Sequence, residues 1–331
     1  MIAERIQHLL SLKEYLQSSD PQWLQVIELA ERSNGWFTEA FIQHRIKAIC
    51  KEYLNEDQLI AFAAHVPVVE NKPTTPTLGI VTAGNIPMVG IHDLLCAYLG
   101  GFAMHIKLSS KDEVLMKEVI LKLKSLDASM DDRIQLQPML KGCDAYLATG
   151  SNNSIAVFKE YFGKYPSLLR NNKTCVAVLT GKETDEELTL LADEVYVYFG
   201  LGCRNVTKLF VPEGYDFIPL LDAFRKYDEL KHHNKYRNNY DYQLALYILN
   251  NQPYMSNESV LMIEDPRYFS PIAVLHYSFY SNAEALRQEL EHSNDLQGIV
   301  GEGYSKFGSM QQPTLTDFAD GLNTLEFFAS L

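Results

Sequence analysis

Four short stretches of this chain hold residue types that could do chemistry. Cys203 lies in YFGLGCRNVTK (198–208), after Gly200 and Gly202 and before Arg204 and Lys208. A nucleophilic thiol needs partial exposure and a lowered pKa, and a nearby cation such as Arg204 lowers it. Asn85, in TAGNIP, offers an amide donor that could hold an oxyanion. Lys107, in IKLSSKD with the hydroxyls of Ser109 and Ser110, suits a phosphate or a ribose. Thr149, Gly150 and Ser151, in LATGSNNS, run from a strand into a helix, where N–H groups and a close-approaching glycine bind pyrophosphate.

Each stretch also has a plain structural reading. A free cysteine is usually a small buried hydrophobe. Asn85 is equally a turn residue. Lys107 is equally a solvated lysine beside a serine cap, and Ser151 an N-cap. LATGSNNS is not a G-x-G-x-x-G fingerprint, and GEGYSKFG (301–308) lacks a strand–turn–helix context. KHHNKYRNNYDY (231–242) reads as a solvated helix end or loop, because His232 and His233 have no metal-ligand partners at a regular spacing. His92 reads as a core residue. No metal site is expected.

The elements around these residues alternate. Residues 1 to about 68 carry apolar residues three and four apart and read as helices, followed by a Pro/Thr linker at 71–77. Strands are expected at 77–84, 103–109 and 144–150, with helices at 87–101, 110–126 and 151–163. A second alternating unit begins near residue 174, with strands TCVAVLT, VTKLFVP, SVLMIED and PIAVLHYSF and three intervening or following helices. The pattern predicts an α/β chain of two doubly wound parallel sheets. The tail, DFADGLNTLEFFASL, gives no clear pattern.

A chain of 331 residues is longer than one core usually serves, so two domains are expected. The net charge of −13 opposes a phosphate backbone, so nucleic acid is not expected as a partner. No apolar run approaches the length of a membrane span. The N-terminus is interrupted by Glu4, Arg5, Lys13 and Glu14 and does not read as a signal peptide. Five widely spaced cysteines form neither a disulfide framework nor a zinc pattern, which suggests a reduced, cytoplasmic protein.

Taken in order, strand-Asn-x-Pro, strand-Lys-x-Ser, strand-Thr-Gly-Ser-helix and helix-Gly-x-Cys-strand resemble the aldehyde dehydrogenase superfamily. The likeness is greatest to its acyl-CoA reductase branch, similar to the fatty-acid reductase of bacterial luminescence systems. It covers about residues 78–331 and touches NGWFTEAFIQHRIKAI (34–49). The resemblance implies four domain-level segments. These are a helical segment 1–70 on the cofactor domain, a Rossmann-like NAD(P) domain 71–172, a thiol domain 173–300, and a segment 301–331 returning to the cofactor domain. It also implies roles: Cys203 as nucleophile, Asn85 on the oxyanion, Lys107 on the adenosine ribose and Ser151 on the pyrophosphate. Ser109, Ser110, Thr149 and Gly150 complete the cofactor contacts.

Three departures sharpen what the resemblance implies. LRNNK (169–173) places Leu169 where hydrolytic members carry a glutamate base, and a hydrocarbon cannot activate water. Ser110 replaces a glutamate that would bond the ribose 2′-OH, with Lys111 beside it, so NADPH is favoured and NADH is the alternative. Arg267, in RYFSP, replaces a glutamate that holds the nicotinamide ribose. The expected function is NADPH-dependent reduction of an acyl-CoA thioester to an aldehyde through an acyl-cysteine. The alternatives are reduction of another activated carboxylate, such as an acyl phosphate, or a non-catalytic nucleotide-binding subunit. The resemblance also implies a homo-oligomer.

Overall fold

Short buried runs such as Leu78–Ile80 and Ala145–Ala148, each closed by a glycine-bearing turn, set the architecture. A computed structural model describes residues 2–69 and 75–331. Most of the expected 71–77 linker lies outside the described residues. The chain divides into one unit of residues 1–172 and 313–331 and a second of residues 173–312.

The first unit opens with four helices, α1 (Ile2–Leu16), α2 (Pro21–Ser33), α3 (Glu39–Ala48) and α4 (Glu56–Ala63); a π-helical turn, Ile49–Tyr53, follows α3. Caps fix three of their starts. Asp20 accepts from Gln22 N–H ahead of Pro21, Thr38 from Phe41 N–H, and Asn55 from Gln58 N–H. Next come β1 (Thr77–Val81), α5 (Ile91–Gly100), β2 (Ala103–Lys107), α6 (Glu113–Leu126), β3 (Ile134–Leu136), β4 (Ala145–Thr149), α7 (Asn152–Phe162) and β5 (Ser167–Arg170). The five strands are parallel in the order β3-β2-β1-β4-β5. The chain turns one way from β1 and then jumps back to β4, so a crevice opens at their carboxyl ends, where ligands of doubly wound sheets bind.

One core joins the leader to this sheet. Leu9, Leu12, Leu16 and Trp23 pack with Leu78, Ile80, Met104 and Ile106, and with Leu94, Leu95 and Leu99 of the almost wholly buried α5. Each fully buried side chain of this size contributes about 1.5–3 kcal/mol. Tyr15 Oη and Gln22 Nε2 both donate to the Glu118 carboxylate on α6, at 2.6 and 2.8 Å. The tail also joins this unit. Its helix, Thr324–Ala329, buries Leu325 and Phe328, and Thr324 Oγ1 accepts from Arg170, whose guanidinium also holds Asp93 at 2.7 Å.

The second unit runs β6 (Thr174–Val178), α8 (Asp185–Tyr196), β7 (Val206–Pro212), α9 (Ile218–Ala223), α10 (Asn234–Leu249), β8 (Met255–Ser256), β9 (Leu261–Glu264), β10 (Val274–Tyr280), α11 (Ala283–Glu291) and β11 (Leu296–Gly301). Its order is β11-β6-β7-β10-β9-β8, parallel throughout except for β8 against β9.

Three local expectations need correction. The helix after Asn85 begins at Ile91, not Pro87, because Met88 adopts φ 50° and breaks the first turn. Residues 231–242, expected as a solvated helix end or loop, begin with the end of a 3-10 helix at His232. From Asn234 they form α10, with Tyr236, Tyr240 and Tyr247 buried; tyrosines carry its apolar face, so its periodicity is hidden among polar letters. The first helix expected in the second unit, TDEELTLLADEVYVYFG (184–200), stops at Tyr196 and passes into a tight turn.

Candidate active site

At the carboxyl edge of the first sheet, two loops interlock. Thr82 N–H donates to the Lys107 carbonyl, and Ser109 N–H donates to Thr82 Oγ1, both at 3.1 Å. Gly84 completes the fit: a Cβ there would lie 2.5 Å from Ser109 Oγ and 3.1 Å from Lys111 Cβ. The contact gathers Asn85, Lys107, Ser109 and Ser110 at one edge. Asp112, buried at the start of α6, lies beneath them. Burial pushes its carboxyl well above the ordinary carboxylate range, and the Met88 and Val89 backbone and the Arg45 guanidinium pull it back.

Thr149, Gly150 and Ser151 end β4 at the same edge. Ser151 Oγ accepts from Ser154 N–H at 3.3 Å and shares a 3.1 Å bond with Ser154 Oγ, so it caps α7. Gly150 N–H is taken by the Arg170 carbonyl, and a Cβ at 150 would meet Ser154 Cβ at 2.9 Å.

Lys107 borders two clefts. One, of about 450 Å³, is lined by Val81, Leu140, Tyr146, Phe158, Tyr161 and Tyr165. Tyr146 stacks on Phe162 with centroids 4.1 Å apart. Gly79 leaves room for that ring, since a Cβ there would lie 2.6 Å from it. The cleft is apolar and aromatic, with Lys107 and Lys141 on its lining. The other, of about 380 Å³, adds Glu113, Lys117, Gln137 and Pro138.

Cys203 belongs to the second unit, in the turn between α8 and β7. Tyr198, Phe199 and Gly200 have consecutive φ values of 56°, 58° and 72°. Two non-glycine residues in the left-handed region cost about 1–3 kcal/mol each and need support. Burial of both rings gives it, with Phe199 4.5 Å from the His233 ring. Asn205, wholly buried, closes the turn. Its Oδ1 accepts from Gly202 N–H at 2.8 Å, and its Nδ2 donates to the Glu194 and Val197 carbonyls at 2.8 and 2.9 Å. Cys203 is half-buried, whereas Cys50, Cys96, Cys143 and Cys175 are buried.

Glu194 is a residue that sequence reasoning missed. It is fully buried at the end of α8, with Oε1 accepting from Met310 N–H at 2.9 Å and Oε2 buried without a hydrogen-bond partner. Burial pushes its carboxyl up to about 8. The only signal in the sequence is an adjacent pair of acids, Asp193 and Glu194, inside the otherwise apolar run LADEVYVYFG.

Lys208 does not border the thiol as a free cation. It is fully buried in β7, where its ammonium meets the Asp265 carbonyl and Ser278 Oγ, and burial lowers its pKa to about 8. Arg267 is bound within its own turn to Asp265, with Nε to Oδ1 at 2.9 Å, and this ion pair brings the Asp265 carboxyl down to about 2. His276 Nδ1 lies 3.1 Å from the Arg267 carbonyl. His92 packs in the first core, its Nε2 2.9 Å from the Leu315 carbonyl and its ring against Tyr53 and Phe318. Among the described residues, no cluster of three or more His, Cys, Asp or Glu is placed to hold a metal, and no helix is long and apolar enough to cross a membrane.

The chain superposes on the benzaldehyde dehydrogenase of Corynebacterium glutamicum with a TM-score of 0.64, at 14% identity over 87% of this chain and 73% of that one. The fold is aldehyde-dehydrogenase-like. Succinic semialdehyde dehydrogenase from Streptococcus pyogenes, solved with NADP+, gives 0.63 at 14% identity, covering 90% of this chain and 76% of that one. Aldehyde dehydrogenase 21 from Physcomitrella patens, solved with its product succinate, gives 0.63 at 12%, covering 89% and 72%. No protein-family description matches the sequence, and neither does any curated protein. Asn85, Lys107 and Ser151 belong to the first unit, and Cys203 lies in a turn of the second.

Proposed function

We propose that this protein is an NADPH-dependent acyl-CoA reductase that forms an aldehyde through an acyl-cysteine. One observation carries the reading. Asn85, Lys107, Ser109 and Ser151 gather at one sheet edge of an aldehyde-dehydrogenase-like fold, whose second unit presents a half-buried thiol in a braced turn. The solved relatives above act on aldehydes by their names, and one of them was solved with NADP+.

In this reading the Cys203 thiolate attacks the thioester carbonyl, and coenzyme A departs as the thiol. Asn85 Nδ2 and the Cys203 N–H donate to the tetrahedral oxyanion. Lys107 and Ser109 would hold the adenosine ribose, the aromatic cleft beside Lys107 would take the base, and the start of α7 at Gly150–Ser151 would take the pyrophosphate. Bound NADPH supplies a hydride. After reduction, Cys203 leaves as a thiolate and the aldehyde is released. Leu169, paired with Ala148 in β5, offers no base to water, so the acyl group waits for the hydride instead of hydrolysing.

The preference for NADPH is supported by exposed Ser110 and Lys111 and by Lys117, which lines the second cleft with Lys107. A 2′-phosphate there would meet Lys107 and Lys117, with the Glu113 carboxylate also on the lining. Arg267 favours a second reading, a nucleotide-binding subunit without catalysis, since it replaces the glutamate and is bound to Asp265. The test is NADPH oxidation with a panel of acyl-CoAs, with Cys203→Ala as control. Thiol-dependent turnover supports the reductase, and NADPH binding without turnover favours the subunit.

A further inference from the structure

The second unit holds two of the chain's five cysteines, and the fold brings these two together. Cys175 opens β6 and is fully buried, with its Sγ 3.9 Å from the carbonyl oxygen of Cys203. Its backbone N–H donates to Asn205 at 3.0 Å, inside the turn that carries Cys203. The sheet is irregular on both sides of this thiol. The β6–β7 register shifts between Cys175 and Val176, and the β11–β6 register shifts between Leu296 and Gly298. At Gly298 the backbone packs closely on its neighbours: a Cβ there would lie 3.4 Å from Cys175 Sγ and 2.5 Å from Met310 Sδ. Cys203 itself follows Gly200 and Gly202.

We propose that Cys175 is a resolving thiol for Cys203, so that a hydroperoxide converts the pair to an intramolecular disulfide. Cys203 thiolate attacks the peroxide oxygen and becomes a sulfenic acid, and the peroxide is reduced to the alcohol or, for hydrogen peroxide, to water. Cys175 sulfur then attacks the Cys203 sulfur, the S–O bond breaks, and the leaving hydroxide takes the Cys175 proton as water. The sulfur pair loses two electrons and the peroxide gains them.

Geometry favours this partner. A disulfide needs its Cα atoms within about 7 Å. The Cys203 backbone carbonyl lies 3.9 Å from Cys175 Sγ, so joining the two sulfurs asks the Cys203 side chain and its glycine-flanked turn, held by Asn205, to rearrange locally. Burial shields Cys175 from outside reagents and raises its thiol pKa, so its attack on an oxidised Cys203 rests on proximity and not on a preformed thiolate. The other three cysteines belong to the first unit. The inference needs only an oxidisable Cys203 and does not depend on the catalytic reading.

The experiment exposes the full chain to a small excess of hydrogen peroxide. Thiols are then alkylated under denaturing conditions, and the protein is digested without reductant. The expected result is loss of two of the five thiols, a crosslinked pair of peptides carrying Cys175 and Cys203, and recovery of both thiols with dithiothreitol. In Cys175→Ala, checked for folding by its melting curve, Cys203 should instead accumulate as a dimedone-reactive sulfenic acid and then as sulfinic acid. Recovery of Cys175 as a thiol while Cys203 over-oxidises equally fast in both proteins would overturn the proposal. Crosslinking in a protein that proves inert to acyl-CoA would support it and count against the catalytic reading alone.

Discussion

Gly84 and Ser109 meet with no space between them: a Cβ on residue 84 would lie 2.5 Å from Ser109 Oγ and 2.8 Å from its Cβ. The contact locks the loop carrying Asn85 onto the loop carrying Lys107. Gly84→Ala is expected to push the loops apart, cost about 1–3 kcal/mol in stability and weaken NADPH binding roughly tenfold or more. Chemical denaturation and a nucleotide fluorescence titration measure the two effects. Unchanged binding would show that the interlock does not shape the nucleotide site.

Asn205 closes the Cys203 turn through three hydrogen bonds from a fully buried side chain. Asn205→Ala leaves Gly202 N–H and two carbonyls without that partner, at a cost of about 2–4 kcal/mol. The loosened turn should also raise the alkylation rate of Cys203. A loss of stability below about 0.5 kcal/mol would mean that water replaces the amide and the turn is not held by it.

Glu194 gives a pH signature. Its carboxyl is pushed up to about 8 in the fold, whereas an unfolded glutamate titrates near 4.5. At and below about pH 4 both states hold the proton and the group is neutral in its effect. Between those pKa values only the folded state holds it, so stability falls as pH rises, and the loss is complete above about pH 8. Glu194→Gln should remove this slope. At pH 9 it should be more stable than the parent by on the order of 2–4 kcal/mol, with the gap shrinking toward pH 4.5. Denaturation curves at several pH values decide it. Parallel stability–pH profiles would mean that the carboxyl is not held protonated.

Ser110 sets the cofactor prediction. Ser110→Glu places a carboxylate where it can bond a ribose 2′-OH and repel a 2′-phosphate. NADPH affinity should drop at least about tenfold while NADH affinity is kept or improved. Lys117→Ala should weaken NADPH by several-fold and leave NADH unchanged. Equal effects on both nucleotides would remove these residues from 2′-phosphate recognition.

The fold was legible in the sequence where strands are buried on both faces. Leu78–Ile80, Ala145–Ala148 and Thr174–Val178 read as short apolar runs, and their alternation with capped helices announces parallel sheets. The three-residue β3 and the half-polar β5 and β11 carry no such run, and their pairing comes from neighbours far along the chain. α10 was hidden because tyrosines carry its buried face while Tyr242, Ile248 and Leu249 stand exposed, so its apolar letters do not follow burial. The local positions of Lys107 at a strand end and Ser151 at a helix cap were legible because such termini have local signatures. Glu194, Asp112 and the burial of Lys208 were not, because desolvation arises only when distant segments close over them. Cys175 reads as an ordinary core thiol until the turn of Cys203 is seen beside it.

The central claim is that Cys203 takes an acyl group from coenzyme A and keeps it from water. Incubating the protein with an acyl-CoA in the absence of nicotinamide nucleotide, then measuring intact mass and released coenzyme A, tests it most directly. The account predicts one acyl group on Cys203, one equivalent of coenzyme A released without continuing turnover, and neither in Cys203→Ala. Continuous release of coenzyme A and free acid, or an unmodified Cys203 beside intact acyl-CoA, would contradict it.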